Sequence, residues 1–215
     1  MSNVVVFDLD KTLARYNVSF AFGNFLYRRR IISLSCMATL VMLYVCNKMG
    51  LCSIKKLHGA SFRLFVYKKE SVLIQSEVDA FLSASNGSLF RHTMLEELRK
   101  AKARGDLVLI QSSSPLCIVK PIATLLGVEH AIGTQYGIDQ DGKFCSIDQI
   151  IDGEAKRVHL VQFLEERGLL SKNVTAYSDS IVDLPLLESV GTPVAVCPDS
   201  SLKKIARKRK WRIAV

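Results

Sequence analysis

A chain of 215 residues is long enough for one large domain, or a domain with an insertion, and for a substantial buried core. A hydrophobic fraction of 49% and a charged fraction of 23% exclude general disorder. The formal net charge of +9 implies attraction to something anionic: a phosphate ligand, nucleic acid or a membrane surface.

The first element is "NVVVF" (3–7), a β-branched run that reads as a buried strand and leads straight into "DLDKTL". Acids directly after four apolar residues do not make a signal peptide, so a cytoplasmic location is expected. Residues 15–86 are apolar and aromatic with little alternation, and three or four helices are predicted there. Val78, Phe81 and Leu82 fall at helical spacing in the last of them, and "SNG" (85–87) reads as a boundary.

Inside this stretch, sixteen residues from Ile31 to Cys46 carry no charge. As a helix they would extend about 24 Å, short of a bilayer core of about 30 Å. Arg28–Arg30 before and Lys48, Lys55 and Lys56 after give no orientation by the positive-inside rule. A single crossing would also separate Asp8 from every candidate site residue downstream. The expectation is a buried helix, with one resting in a membrane interface as the alternative.

From residue 88 the pattern alternates. Helices are predicted over 93–105, with Leu95, Leu98 and Ala101 on one face and Gly105 closing it, and over 115–127, where Pro121 should introduce a kink. Further helices are expected at 154–168, 183–191 and 201–210, and strands at 107–111, 130–136, 174–178 and 193–197. "SSSP" (112–115) reads as a turn and Asp141-Gly142 as a hairpin signal. Alternating strands and helices predict an α/β fold with a parallel sheet, whose ligand sits at the C-terminal strand ends. Six scattered cysteines without metal-binding spacing read as buried, reduced thiols.

Three strand ends are polar: "FDLD", "QSSS" and "YSDS". Asp8 and Asp10 are two residues apart, so in extended chain both carboxylates face one point. Taken alone, such a pair can be a turn or a helix cap; Thr12 adds a hydroxyl close by. Ser112 follows a strand, where a hydroxyl and backbone N–H groups suit a phosphate oxygen, although an N-cap reading fits Ser114. Lys156 lies near a helix start, where lysines are usually solvated. Asp179 and Asp183 flank a strand-to-helix turn, and Asp183 could cap the helix. Together, four carboxylates, a hydroxyl and a lysine at successive strand–helix junctions point to a hard cation such as Mg²⁺ and to carboxylate attack on a phosphoryl group.

With these motifs the sequence resembles the haloacid dehalogenase (HAD) superfamily: "FDLDKTL" matches its first motif, "SSSP" its second, Lys156 its third and "SDSIVD" its fourth. It is similar to the phosphoserine-phosphatase-like branch, subfamily IB, and also to the bacterial phosphatidylglycerophosphatases of that branch. The resemblance implies a Rossmann-like parallel-sheet core at 1–15 and 87–215 and an inserted α-helical cap at 16–86. It implies Asp8 as nucleophile, Asp10 as acid and base, and Thr12 orienting Asp10. Ser112 and the Ser113 amide would hold the phosphoryl group, and Lys156 would offset charge. Mg²⁺ would be held by Asp8, the Asp10 backbone carbonyl and Asp179, with Asp183 supporting the metal site. That branch carries an acid just after the first motif to meet the substrate's amino group; here no acid occurs between Asp10 and Glu70.

The expected activity is Mg²⁺-dependent hydrolysis of a small or lipid-linked phosphomonoester. The alternatives are phosphoserine hydrolysis, phosphotransfer, or peripheral membrane binding through the basic "LKKIARKRKWR" (202–212), where much of the excess charge lies. One tryptophan and no aromatic interleaving argue against nucleic-acid readout.

Overall fold

The computed structural model describes residues 3–85 and 87–215. Among these, strand β1 (Val4–Asp8) precedes four helices, α1 (Val18–Arg28), α2 (Leu34–Lys48), α3 (Ile54–Phe65) and α4 (Ser71–Ser85). Then come α5 (His92–Ala103), β2 (Leu107–Pro115), α6 (Leu116–Leu125), β3 (His130–Ile138), β4 (Phe144–Gln149) and α7 (Gly153–Glu165). The chain closes with β5 (Val174–Ser178), α8 (Leu184–Glu188), β6 (Thr192–Val196), α9 (Ser200–Lys208) and β7 (Arg212–Ala214). The boundary expected at 85–87 includes Asn86, which lies outside the described residues.

The strands form one sheet in the order β4-β3-β2-β1-β5-β6-β7, parallel except for the antiparallel β3–β4 hairpin. The chain moves outward from β1 on one side and returns to its other side with β5, so β1 sits at the topological switch point. Alternation along β1 serves both faces. Val5 and Phe7 pack with Leu98 of α5 and Ile122 of α6, and Val4 and Val6 pack with Leu160 of α7 and Leu202 of α9. Phe7 stacks on Tyr177 of β5 with ring centroids 4.7 Å apart. Helices on both faces of a mostly parallel sheet give the predicted α/β class.

Helices α1–α4 pack on one another and on the core, and residues of all four share one buried cluster with Val5 and Phe7. Phe81 of α4 meets Phe22 and Phe25 of α1 edge-on, each at 5.7 Å, and Arg29 pairs with Glu77 at 2.7 Å. The chain enters and leaves this group side by side: Arg15 N–H donates to the Leu89 carbonyl and Arg91 N–H to the Leu13 carbonyl, both at 2.8 Å.

Several expectations are corrected. The uncharged segment is not a buried helix. It becomes α2, capped by Ser33; among its described side chains only Met37 and Leu40 are buried, while Leu34, Val41, Met42 and Val45 are exposed. No helix among the described residues is long and apolar enough to cross a membrane. "SSSP" is not a turn, because β2 continues through it and pairs Pro115 with Thr134. Helix α6 continues through Pro121, whose missing N–H falls opposite the Cys117 carbonyl in the first turn. The hairpin at Asp141-Gly142 forms, but its second strand and β7 had no predicted counterpart. The six cysteines carry free thiols, yet none is fully buried, and Cys145 and Cys197 are exposed.

Candidate active site

The carboxyl ends of β1, β2 and β5 converge with the start of α7. After β1 the chain makes a wide turn closed by Ala14 N–H to the Leu9 carbonyl at 2.8 Å, with Lys11 at φ 58°. A left-handed residue that is not glycine stores strain of the kind found at functional sites. This turn sets Asp8 and Asp10 in different surroundings.

Asp8 is buried, and Lys156 Nζ donates to its Oδ1 at 2.7 Å. The same ammonium donates to Asp183 Oδ2 at 2.8 Å, and Ser178 Oγ donates to that oxygen at 2.6 Å. Asp183 therefore does not cap α8; it anchors the lysine. Burial pushes the Asp8 carboxyl well above the usual range; Lys156 opposes this, and Asp183, Asp10 and Asp179 add to it. Burial alone would lower the Lys156 ammonium, but Asp183 and Asp8 raise it overall and keep it charged.

A close backbone approach makes this contact. Asp152 caps α7 by accepting from Ala155 N–H at 3.0 Å, and Gly153 then lies against the Asp183 turn. A Cβ at Gly153 would stand 1.7 Å from the Val182 carbonyl oxygen. Gly153→Ala is therefore expected to force the two segments apart, destabilise the protein by about 2–4 kcal/mol and pull Lys156 away from Asp183. Urea denaturation with a parallel activity assay reads both effects.

Asp10 sits in a second cluster. Its Oδ2 accepts from Ser112 Oγ at 2.9 Å and Ser114 Oγ at 2.7 Å, and its Oδ1 from Val18 N–H at 2.6 Å. Ser19 Oγ lies 2.7 Å from Ser114 Oγ and, with the Ser114 proton directed at Asp10, is the donor. The helical group thus reaches the carboxylate through the first turn of α1. Thr12, expected to orient Asp10, does not bond it: its hydroxyl is buried without a partner among the described residues. Ser112 faces Asp10 directly, and Ser113 is held through its carbonyl, which accepts from Thr134 Oγ1 at 2.7 Å. Ser114 is no helix cap.

Ser114, Ser178, Ser19 and Val18 N–H were not read from the sequence. The signal for Ser114 was present: in a strand, residues 112 and 114 share a face. Ser19 and Val18 had none, because only the fold returns α1 to Asp10. Removing the Ser114 hydroxyl takes one charge-assisted hydrogen bond from Asp10, worth about 1.5–3 kcal/mol. Ser114→Ala is accordingly expected to lower kcat by about ten- to a hundredfold with little change in KM, as steady-state kinetics would show.

The Asp179 backbone carbonyl accepts from Asp199 N–H at 2.9 Å, while its carboxylate makes no hydrogen bond or ion pair among the described residues. Burial, then Asp183, pushes its carboxyl up to about 6. Among the described residues, no three His, Cys, Asp or Glu side chains are grouped to hold a metal ion. The donors on hand are oxygens only: the Asp8 and Asp179 carboxylates and the Asp10 carbonyl. Crowded carboxylates whose ionisation is resisted fit a hard divalent cation, completed by substrate or solvent oxygens. Asp183, occupied by Lys156 and Ser178, would support such a site from behind.

The haloacid dehalogenase-like hydrolase family matches residues 5–188. A histidinol-phosphatase of Neisseria meningitidis serogroup C (strain 8013) is 32% identical over 222 residues, covering 99% of this chain and 98% of that protein. A protein with unknown function from Bordetella pertussis Tohama I shares the fold with a TM-score of 0.89 at 25% identity, covering 100% and 99% of the two chains. A phospho-aspartyl intermediate analogue of phosphoserine phosphatase superposes with a TM-score of 0.72 at 16% identity, covering 100% and 93%. The family match runs from β1 to the end of α8 and includes both carboxylate clusters; the chain belongs to the haloacid dehalogenase-like hydrolases and is a phosphatase among them.

Proposed function

We propose that the protein hydrolyses a small phosphomonoester through an aspartyl-phosphate on Asp8, with Mg²⁺ held by Asp8, Asp179 and the Asp10 carbonyl. The observation that carries this reading is the division of labour between neighbouring carboxylates. Asp8 is fixed by an ammonium, whereas Asp10 is fixed by two hydroxyls and an amide. Paired carboxylates with unlike surroundings are the arrangement that separates nucleophile from acid and base.

Asp8 attacks phosphorus and the bond to the leaving oxygen breaks. Asp10 gives that oxygen a proton, then takes one from the water that cleaves the acyl phosphate and releases inorganic phosphate. Lys156 keeps Asp8 oriented and offsets charge on the phosphoryl oxygens, with Ser112 and the Ser113 amide at their edge. A bound divalent cation would neutralise further charge there. The helices of 16–86 would close over the core of 1–15 and 87–215 as the cap.

The full-length likeness to a histidinol-phosphatase makes histidinol phosphate the first substrate to test. Exposed Tyr16 and Phe20 flank Val18 and Ser19 in the chain, where they could stack on an imidazole. Phosphoserine is the second reading, supported by the structural likeness to phosphoserine phosphatase. Against it, the buried acid of the cap, Glu77, is committed to Arg29 at the far end of α1. Release of inorganic phosphate from histidinol phosphate, phosphoserine, glycerol phosphate and a lipid phosphate, with Mg²⁺ and with EDTA, tests the proposal. Turnover that is indifferent to EDTA would contradict the metal assignment.

Mg²⁺ affinity should also depend on pH. The Asp179 carboxyl, pushed up to about 6, is neutral below that value and ligates poorly. Protonation of Asp179 alone is expected to weaken the apparent Mg²⁺ constant by about tenfold for each unit below pH 6, and the raised Asp8 carboxyl adds to the loss. Mg²⁺ titrations at three pH values would show this.

A further inference from the structure

Between Lys11 and Lys69 the sequence holds eleven lysines and arginines and no aspartate or glutamate, leaving eighteen basic against twenty acidic residues elsewhere. The net positive charge is therefore that of α1–α3 and their loops. The basic C-terminal helix does not offer an apolar surface, because Leu202 and Ala206 of α9 are buried in the core.

Helix α2 does offer one. At 100° per residue, Leu34, Val41, Met42, Val45 and Met49 fall within an arc of about 100°. Met42 is 59% exposed and Val45 48%, whereas Met37 and Leu40, on another side, are buried. Exposed Arg28 and Arg30 stand just before this helix, and exposed Lys55 and Lys56 at the start of α3 just after it. An exposed apolar face with cations at both ends can sink below the headgroups while the cations stay on the lipid phosphates.

We propose that this face of α2 rests in the surface of an anionic phospholipid bilayer, with the flanking arginines and lysines on the headgroups. The helix is about 22 Å long and lies along the surface without crossing. Charge selects the occupant: a second copy would press two acid-free basic surfaces together, whereas anionic lipid complements both the stripe and its flanks. The proposal does not depend on the identity of the substrate.

Co-sedimentation of the whole protein with vesicles tests it. One set is phosphatidylcholine alone; the other contains equal parts phosphatidylcholine and phosphatidylglycerol. Binding to the anionic set is expected, with at least about tenfold weaker binding to the neutral set. The double variants Met42→Ser with Val45→Ser, and Lys55→Glu with Lys56→Glu, should each weaken binding by about tenfold. Both should leave hydrolysis of a soluble phosphomonoester unchanged, because the substituted side chains are exposed and outside the site. Three outcomes overturn the proposal: no anionic binding, equal binding to both sets, or variants that bind as the parent does. A dimer in sedimentation velocity that the Met42/Val45 variant dissociates would assign the face to a second copy instead.

Discussion

Asp8→Asn is expected to lower kcat by at least about 10⁴-fold while shifting the denaturation midpoint little. Asparagine keeps the shape and still offers an oxygen to Lys156, but it cannot form an acyl phosphate that water cleaves. The stability terms oppose each other. The substitution removes a buried carboxylate whose ionisation is resisted by burial and by Asp183, Asp10 and Asp179, and it weakens one of the two ion pairs on Lys156. A wild-type rate from this variant would show that Asp8 is not the nucleophile.

Lys156→Met is expected to have the largest effect on stability. Its side chain is 3% exposed and its ammonium joins two buried carboxylates, so removing it leaves uncompensated charge in the interior. Breaking a buried pair of this kind costs about 3–5 kcal/mol. Activity should be lost together with stability. The double variant Lys156→Met with Asp183→Asn separates the two: it should regain much of the stability, since one orphaned charge is gone, without regaining turnover. Urea denaturation of the single and double variants measures the coupling. Equal destabilisation in both would place the cost elsewhere than in the ion pair.

Much of the core was legible because its signals are local. "VVVFD" and "VTAYS" announce short buried strands, and Gly105 takes φ 74° just past α5, where a helix end was expected. The polar strand ends located the site, because in a parallel sheet the strand order carries them to one edge. What the sequence concealed depends on contacts between distant segments. Strand β2 runs on through "SSSP" because β3 pairs with Pro115, and this puts Ser114 beside Asp10. Strand β7 exists because β6 offers it an edge, which three residues of sequence cannot advertise. Thr12 looked like a partner for Asp10 by spacing, but the turn at Lys11 points its hydroxyl elsewhere. The apolar run at 31–46 misled for a different reason. Helix α2 is greasy on all sides, so its sequence could not say which side faces out.

The central claim is that turnover passes through a covalent phosphate on Asp8. Rapid acid quench of the protein with radiolabelled phosphomonoester and Mg²⁺, followed by peptide mapping, tests it most directly. The account predicts an acid-stable, hydroxylamine-labile label on the peptide carrying Asp8, present in the parent and lost in Asp8→Asn. Steady release of phosphate with no label on the protein, or a label on any other residue, would contradict it.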